Sequence, residues 1–192
     1  MFRKKIFFFI LLTVSLSLQA VSPVTYSASA HQIRINGNSN VQRWSAEVPR
    51  VTAVGDFVVN NGRLEAISRL TVEVDATAIR GSEGNIMTEK IQESLKVQQN
   101  PRIVFRLSRL DNISQTGNEF TVTASGNLTL AGVSRPVELV ATGRVMPNGD
   151  IQISGVEEMK MTTWNVQPPR AMLGALRTAD DITVNFSLTL KK

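Results

Sequence analysis

Ile182-Thr183-Val184-Asn185-Phe186-Ser187-Leu188-Thr189-Leu190 sets an apolar side chain on every second position and a polar one between each pair. In an extended chain successive side chains point to opposite faces, so this stretch reads as a strand with one dry face and one wet face. The same period governs Leu70-Thr71-Val72-Glu73-Val74-Asp75-Ala76, where Leu70, Val72 and Val74 share a face. It recurs in Ile103-Val104-Phe105-Arg106-Leu107, and in Phe120-Thr121-Val122-Thr123-Ala124, continuing to Leu128 and Leu130. Weaker alternation covers 32–36, 40–48, 52–59, 134–146 and 149–162.

Turn chemistry separates these runs. Asn61-Gly62 and Asn148-Gly149 suit the positive φ angles of a tight hairpin. Thr116-Gly117-Asn118 and Ala131-Gly132-Val133 read as further turns. Eight or nine strands joined by short turns, with no strand–helix–strand rhythm, predict an all-β antiparallel sandwich or barrel. The run 63–77 would reach roughly 50 Å if fully extended, at ~3.3 Å per residue. A strand of that length bends or bulges, which suits a closed barrel of about eight strands.

One segment departs from the period of two. Met87, Ile91 and Leu95 are spaced by four and fall on one face of a helix over 86–97. Asn85 reads as its N-cap and Pro101 as its stop, with Gly81-Ser82-Glu83-Gly84 as the turn into it. A lone helix of about three turns is marginal in water, so its apolar face must cover something, and an open barrel end is the natural place.

The chain opens as an exported protein would. Arg3-Lys4-Lys5 precedes an apolar stretch from Ile6 to Leu18, and Ala28-Ser29-Ala30 fits a signal-peptidase site. The expected signal peptide is therefore 1–30, with Ala20 as the second-choice cut, and the domain 31–192. The stretch is shorter than the roughly 20 apolar residues that span a bilayer, so no transmembrane span is expected in the mature, periplasmic or secreted protein. Residues 1–30 hold three of the 21 basic residues and none of the 16 acidic ones. The formal +5 therefore falls to a near-neutral balance, which gives no support for nucleic-acid binding.

Catalytic chemistry is hard to build. There is no cysteine, which excludes disulfides, thiolate catalysis and cysteine-bound zinc. The single histidine, His31, would sit at the mature N-terminus. Without His or Cys elsewhere, no nucleophile–base set forms. Glu157-Glu158 and Asp180-Asp181 are adjacent pairs, and neighbours on a strand point to opposite faces, so neither makes a ready acid/base dyad. The expectation is a protein that is not an enzyme, with no cofactor and no metal. Trp44 and Trp164 read as core residues whose indole N–H meets backbone, or as cavity walls.

Several motifs resemble one family. Gly126-Asn127-Leu128-Thr129-Leu130-Ala131-Gly132-Val133-Ser134-Arg135-Pro136-Val137 resembles the G-x-L-T-I-x-G-V-T-x-P-V signature of the YceI-like lipid/polyisoprenoid-binding family. Asn36 through Trp44, Met87 through Lys96 followed by Pro101-x-Ile103-Val104-Phe105, and Thr178-Ala179-Asp180-Asp181-Ile182 onward resemble its other landmarks in order. The resemblance implies a lipocalin-like barrel holding an apolar lipid or isoprenoid. Many members carry His-Asp before the Trp or Arg-Asp-x-His in the helix. Here those places read Gln42-Arg43 and Thr88-Glu89-Lys90, so head-group contacts made by those family residues do not transfer.

Alternation and the resemblance together set a candidate lining: Leu70, Val72, Val74, Ile103, Phe105, Leu107, Phe120, Val122, Phe186 and Leu188 from strands, Met87 and Ile91 from the helix, and Met172 at the mouth. A barrel filled by its own side chains, working through protein–protein contacts in the envelope, uses the same alternation and stands as the alternative.

Overall fold

The computed structural model describes residues 22–171 and 175–192. In chain order the strands are β1 (Val24–Ser39), β2 (Arg43–Glu47), β3 (Val51–Asn60), β4 (Arg63–Asp75), β5 (Arg80–Gly81), β6 (Arg102–Thr116), β7 (Glu119–Leu130), β8 (Val133–Val145), β9 (Ile151–Lys160), β10 (Arg170–Ala171) and β11 (Leu176–Lys191). The helix α1 (Asn85–Ser94) lies between β5 and β6. The strands run antiparallel in the order β11-β9-β8-β7-β6-β4-β3-β1, and β1 pairs back onto β11. The sheet thus closes into an eight-stranded barrel. Closure removes the exposed edges that an open sheet of this length would present.

Turn residues behave as their chemistry demands. Asn61 and Gly62 both take positive φ, as do Ala131 and Gly132, which is the twist a two-residue hairpin requires. The expected bending of the long hairpin is also present. The β3–β4 ladder shifts register between Asp56 and Phe57 and again between Val58 and Val59, and β6–β7 shifts twice as well.

The structure moves the start of the domain. Residues 24–30, assigned by the sequence to a leader, form the first part of β1 and pair with both β3 and β11. Tyr26 among them is completely buried, with its ring edge-on to Phe57 at 5.4 Å between centroids. His31 consequently lies inside a strand opposite Leu188, not at a chain end, with Nε2 3.1 Å from the Pro49 carbonyl oxygen. Of the rest of the expected signal peptide, 1–21 lies outside the described residues.

The helix is shorter than the periodicity suggested. It begins at Asn85, with Gly84 in the cap position and no side chain capping it. Thr88 Oγ1 instead donates to the Gly84 carbonyl and accepts from Gly81 N–H. Lys96 takes a left-handed conformation and Val97 N–H reaches back to Gln92 O, which ends the helix before Pro101. Ile91 and Val97 pack with Ala46, Val48, Ala76 and Ile79, so the helix covers a barrel end as expected.

The two ends of the barrel differ. Next to the hairpins at 61–62 and 117–118 and the loop at 146–150, a packed cluster of Tyr26, Phe57, Leu64, Phe120, Val145, Ile151 and Leu190 closes one end. Gln115 ties that end together, accepting from Leu64 N–H and donating to Gly117 O. At the other end α1 and β2 cover one side. The 3₁₀ turn Met161–Trp164 covers another, packed on Leu128, Leu130, Val137 and Ile182.

Candidate functional site

Between the packed end and these two covers lies a cavity of about 610 Å³, walled almost wholly by apolar side chains. This is within the size range of sites for small organic ligands. Strands β4, β6, β7 and β11 and the helix supply the candidate residues on its walls. Leu70, Val72 and Val74 line it from β4 and Ile103, Phe105 and Leu107 from β6, with Val72 beside Phe105 and Val74 beside Ile103 in the ladder. Val122 comes from β7, and Phe186 and Leu188 from β11. Met87 and Ile91 come from α1. Eleven of the thirteen candidate residues therefore meet around one space.

Two do not. Phe120 is packed in the closed end, 3% exposed, beside the Gly117 turn and away from the cavity wall. Alternation reports which face a side chain takes, not how deep along the barrel axis it sits. Met172 lies outside the described residues.

Sequence reasoning missed walls contributed by weaker strands, Ile33 and Ile35 from β1 and Leu139 from β8, and it left out Ile182 and Val184, which share the apolar face of β11 with Phe186 and Leu188. It left the two tryptophans open, and both line the cavity. Each spends its indole N–H on backbone, Trp44 on Asn38 O and Trp164 on Leu128 O, both at 3.3 Å. Only the carbon faces of the rings are left to face the interior.

The shape of the space depends on glycines in strands. An added Cβ on Gly37 would stand 2.3 Å from the Trp44 ring, on Gly126 2.4 Å from Phe105, and on Gly155 2.4 Å from Phe186. Each ring lies flat over a neighbouring strand where no side chain rises to meet it, which is the usual meaning of a strand glycine. The rings thereby stay against the wall, leaving the centre open. A signal for this was present in the sequence, as glycines interrupting otherwise alternating strands.

Polar groups on the wall are few. Glu83, Lys90 and Ser94 stand on or beside α1. Ser39 and Gln42 flank the β1–β2 turn, and Arg170 and Thr178 belong to the segment beside it. Asn40 joins that turn to the segment, donating to Ala175 O and accepting from Arg177 N–H. Glu157 is the exception in position. It belongs to β9, opposite Val184, and alternates inward with Ile153 and Met159 while Glu158 points out. The expectation that adjacent carboxylates take opposite faces holds, but Glu157 is on the inner one. Burial against apolar neighbours, helped by the charge of Glu158, pushes its carboxyl above the usual carboxylate range. Among the described residues no hydrogen bond or ion pair reaches it, and no group of three or more His, Cys, Asp or Glu side chains could hold a metal ion.

A second, more open and more polar depression lies beside the 3₁₀ turn. It shares Trp44, Glu157, Met159, Trp164 and Ile182 with the cavity. Asp180 fixes this region by accepting from both N–H and Oγ1 of Thr162, at 2.8 and 2.6 Å. These bonds hold its carboxyl below the ordinary value.

The fold has solved relatives. It is similar to Burkholderia cenocepacia BcnA, with a TM-score of 0.63 and 17% identity over 83% of this chain and 95% of that one. It is similar to a polyisoprenoid binding domain from Saccharophagus degradans implicated in plant cell wall breakdown, with a TM-score of 0.67 and 11% identity over 86% of this chain and 97% of that one. The Campylobacter jejuni YCEI protein matches with a TM-score of 0.57 and 17% identity over 96% and 94% of the two chains. No curated protein matches the sequence. The YceI-like domain model matches residues 24–190, from the first residue of β1 almost to the end of β11, and the chain belongs to the YceI-like domain family.

Proposed function

We propose that this protein is an exported carrier that holds one apolar ligand, an isoprenoid or another lipid, inside the barrel, and that it is not an enzyme. The single observation that carries the reading is the 610 Å³ apolar cavity in a barrel whose other end is packed shut. An apolar space of this size in water is a binding site for chains. Each buried CH₂ contributes roughly 0.8 kcal/mol. Two or three isoprene units would therefore outweigh an association cost of several kcal/mol without any polar clamp. The similarity to a domain described as polyisoprenoid-binding supports the same class of ligand. The eleven side chains brought to the wall, from Leu70 to Leu188, are the proposed contacts.

Export is part of the proposal, with the cut placed after Ala20 rather than Ala30. A protein beginning at His31 would lack Tyr26 and its pairing with β3, whereas one beginning at residue 21 keeps the whole of β1. Among the described residues no helix is long and apolar enough to cross a membrane.

The test is organic extraction of the purified protein followed by mass spectrometry of the extract. The expected result is an apolar molecule at close to one per chain, and delipidated protein that takes it up again. Protein that carries no such molecule and takes none up refutes the reading.

A further inference from the structure

We infer that Glu157 is the head-group residue of the cavity, selecting an apolar chain that ends in a hydrogen-bond donor, an amine or an alcohol, over the same chain ending in a carboxylate or phosphate. This rests on the apolar-ligand reading above. The observation behind it is a carboxylate on the inner face of β9, in a wall that is otherwise almost entirely apolar, with no partner among the described residues. Unpaired, such a group destabilises the empty barrel. Its raised carboxyl pKa expresses that cost. A donor on a bound ligand would supply the missing partner through a charge-assisted hydrogen bond.

The surroundings favour a donor over an anion. Trp44 and Trp164 line both the cavity and the polar depression together with Glu157. Their N–H groups are already spent on Asn38 and Leu128 carbonyls, so they offer an anionic head nothing to bind. Their ring faces, by contrast, attract an ammonium. In the depression Lys160 is held by Asp181 at 2.6 Å, and Glu158 adds a second negative charge beside Glu157. Arg43 there is exposed. On the cavity wall Lys90 is paired with Glu93 at 2.7 Å, Glu83 adds another negative charge, and Arg170 is exposed. Exposed charges of either sign, Glu83 and Glu158 included, are screened within a Debye length of about 10 Å. Glu157, set in the wall, keeps more of its field. The ligand's chain would then occupy the interior and its head would stop between the indoles, at the border of the polar depression.

A neutral naphthyl fluorophore loaded into delipidated full-length mature protein provides the readout. It is displaced by four competitors of one chain length, dodecylamine, dodecanol, dodecanoate and dodecyl phosphate, each below its micelle concentration. In the wild type the amine and alcohol are expected to compete best. Glu157→Gln should weaken the amine about tenfold or more, the scale of a hydrogen bond to a charged group, and should narrow its lead over dodecanoate. Glu138→Gln, exposed on the outer face of β8 and away from both the cavity and the depression, should leave the order as it is. Urea unfolding of both variants verifies that they fold. An anionic competitor equal to or better than the amine, or an order unmoved by Glu157→Gln, overturns the head-group assignment while leaving the carrier reading intact. A fluorophore that never enters the protein overturns both.

Discussion

Replacing Ala124 with phenylalanine would test whether the barrel is hollow by the sign of a stability change. Ala124 is on β7, faces the cavity, and belongs to none of the packed clusters. A cavity that binds benzene measures about 150 Å³, so a phenyl ring would take roughly a quarter of the 610 Å³ available. In an open interior the added ring is removed from water without displacing protein atoms. Cavity filling of this kind stabilises by about 1–2 kcal/mol. In a packed interior the same ring would force side chains off their rotamers and cost about 1–3 kcal/mol. The two outcomes therefore differ in sign. Urea unfolding at constant m-value reads the difference directly, and each kcal/mol should move Tm by roughly 2–4 °C. Ligand affinity should fall at the same time. Expelling three or four carbons of chain loses about 3 kcal/mol at roughly 0.8 per CH₂, near a hundredfold in Kd. A destabilisation of more than about 1 kcal/mol with affinity unchanged would refute the hollow-barrel argument.

Tyr26→Ala should cost about 3–5 kcal/mol through lost packing, whereas Tyr26→Phe should be neutral or stabilising, because the phenolic oxygen is buried without a hydrogen-bond partner among the described residues. Urea titration of the two variants measures both, and equal losses would contradict this account. Gly37→Ala should push the Trp44 ring off β1, costing about 1–3 kcal/mol, with a shift in Trp44 fluorescence in a Trp164→Phe background. Asp180→Asn should cost about 1 kcal/mol at pH 7, because a neutral amide oxygen accepts more weakly than the carboxylate from N–H and Oγ1 of Thr162. Because the folded pKa of Asp180 is depressed, its stabilisation is present above the unfolded value near 4 and disappears as pH falls through the folded value, so mutant and wild type should converge in acid. Glu157→Gln should behave oppositely. Its folded pKa is raised, so the wild type is unpenalised below the ordinary glutamate value and loses stability as pH rises through the folded one. The variant should therefore be the more stable at pH 7, with the advantage vanishing below about pH 4.

The strand pattern, the hairpin turns at Asn61-Gly62 and Ala131-Gly132, the helix and the inward set from Leu70 to Leu188 were legible in the sequence, because each depends on local periodicity or on backbone preferences of single residues. Alternation alone left a sandwich or a barrel open, and the closed barrel was favoured by the long run 63–77 and by the family resemblance. Which it is depends on the pairing of β1 with β11, residues more than a hundred positions apart, and no local period encodes that. Depth along the barrel was equally hidden. Phe120 and Val122 share a face of β7, yet one fills the packed end and the other lines the cavity. Residues 24–30 were read as part of a leader because small residues at Ala28 and Ala30 satisfy a peptidase, and only the ladder to β3 showed Tyr26 in the core. That the strands enclose a cavity was visible in the tertiary structure alone. Glycines on one strand let rings from the next lie flat against the wall, and that arrangement exists only once the strands are paired.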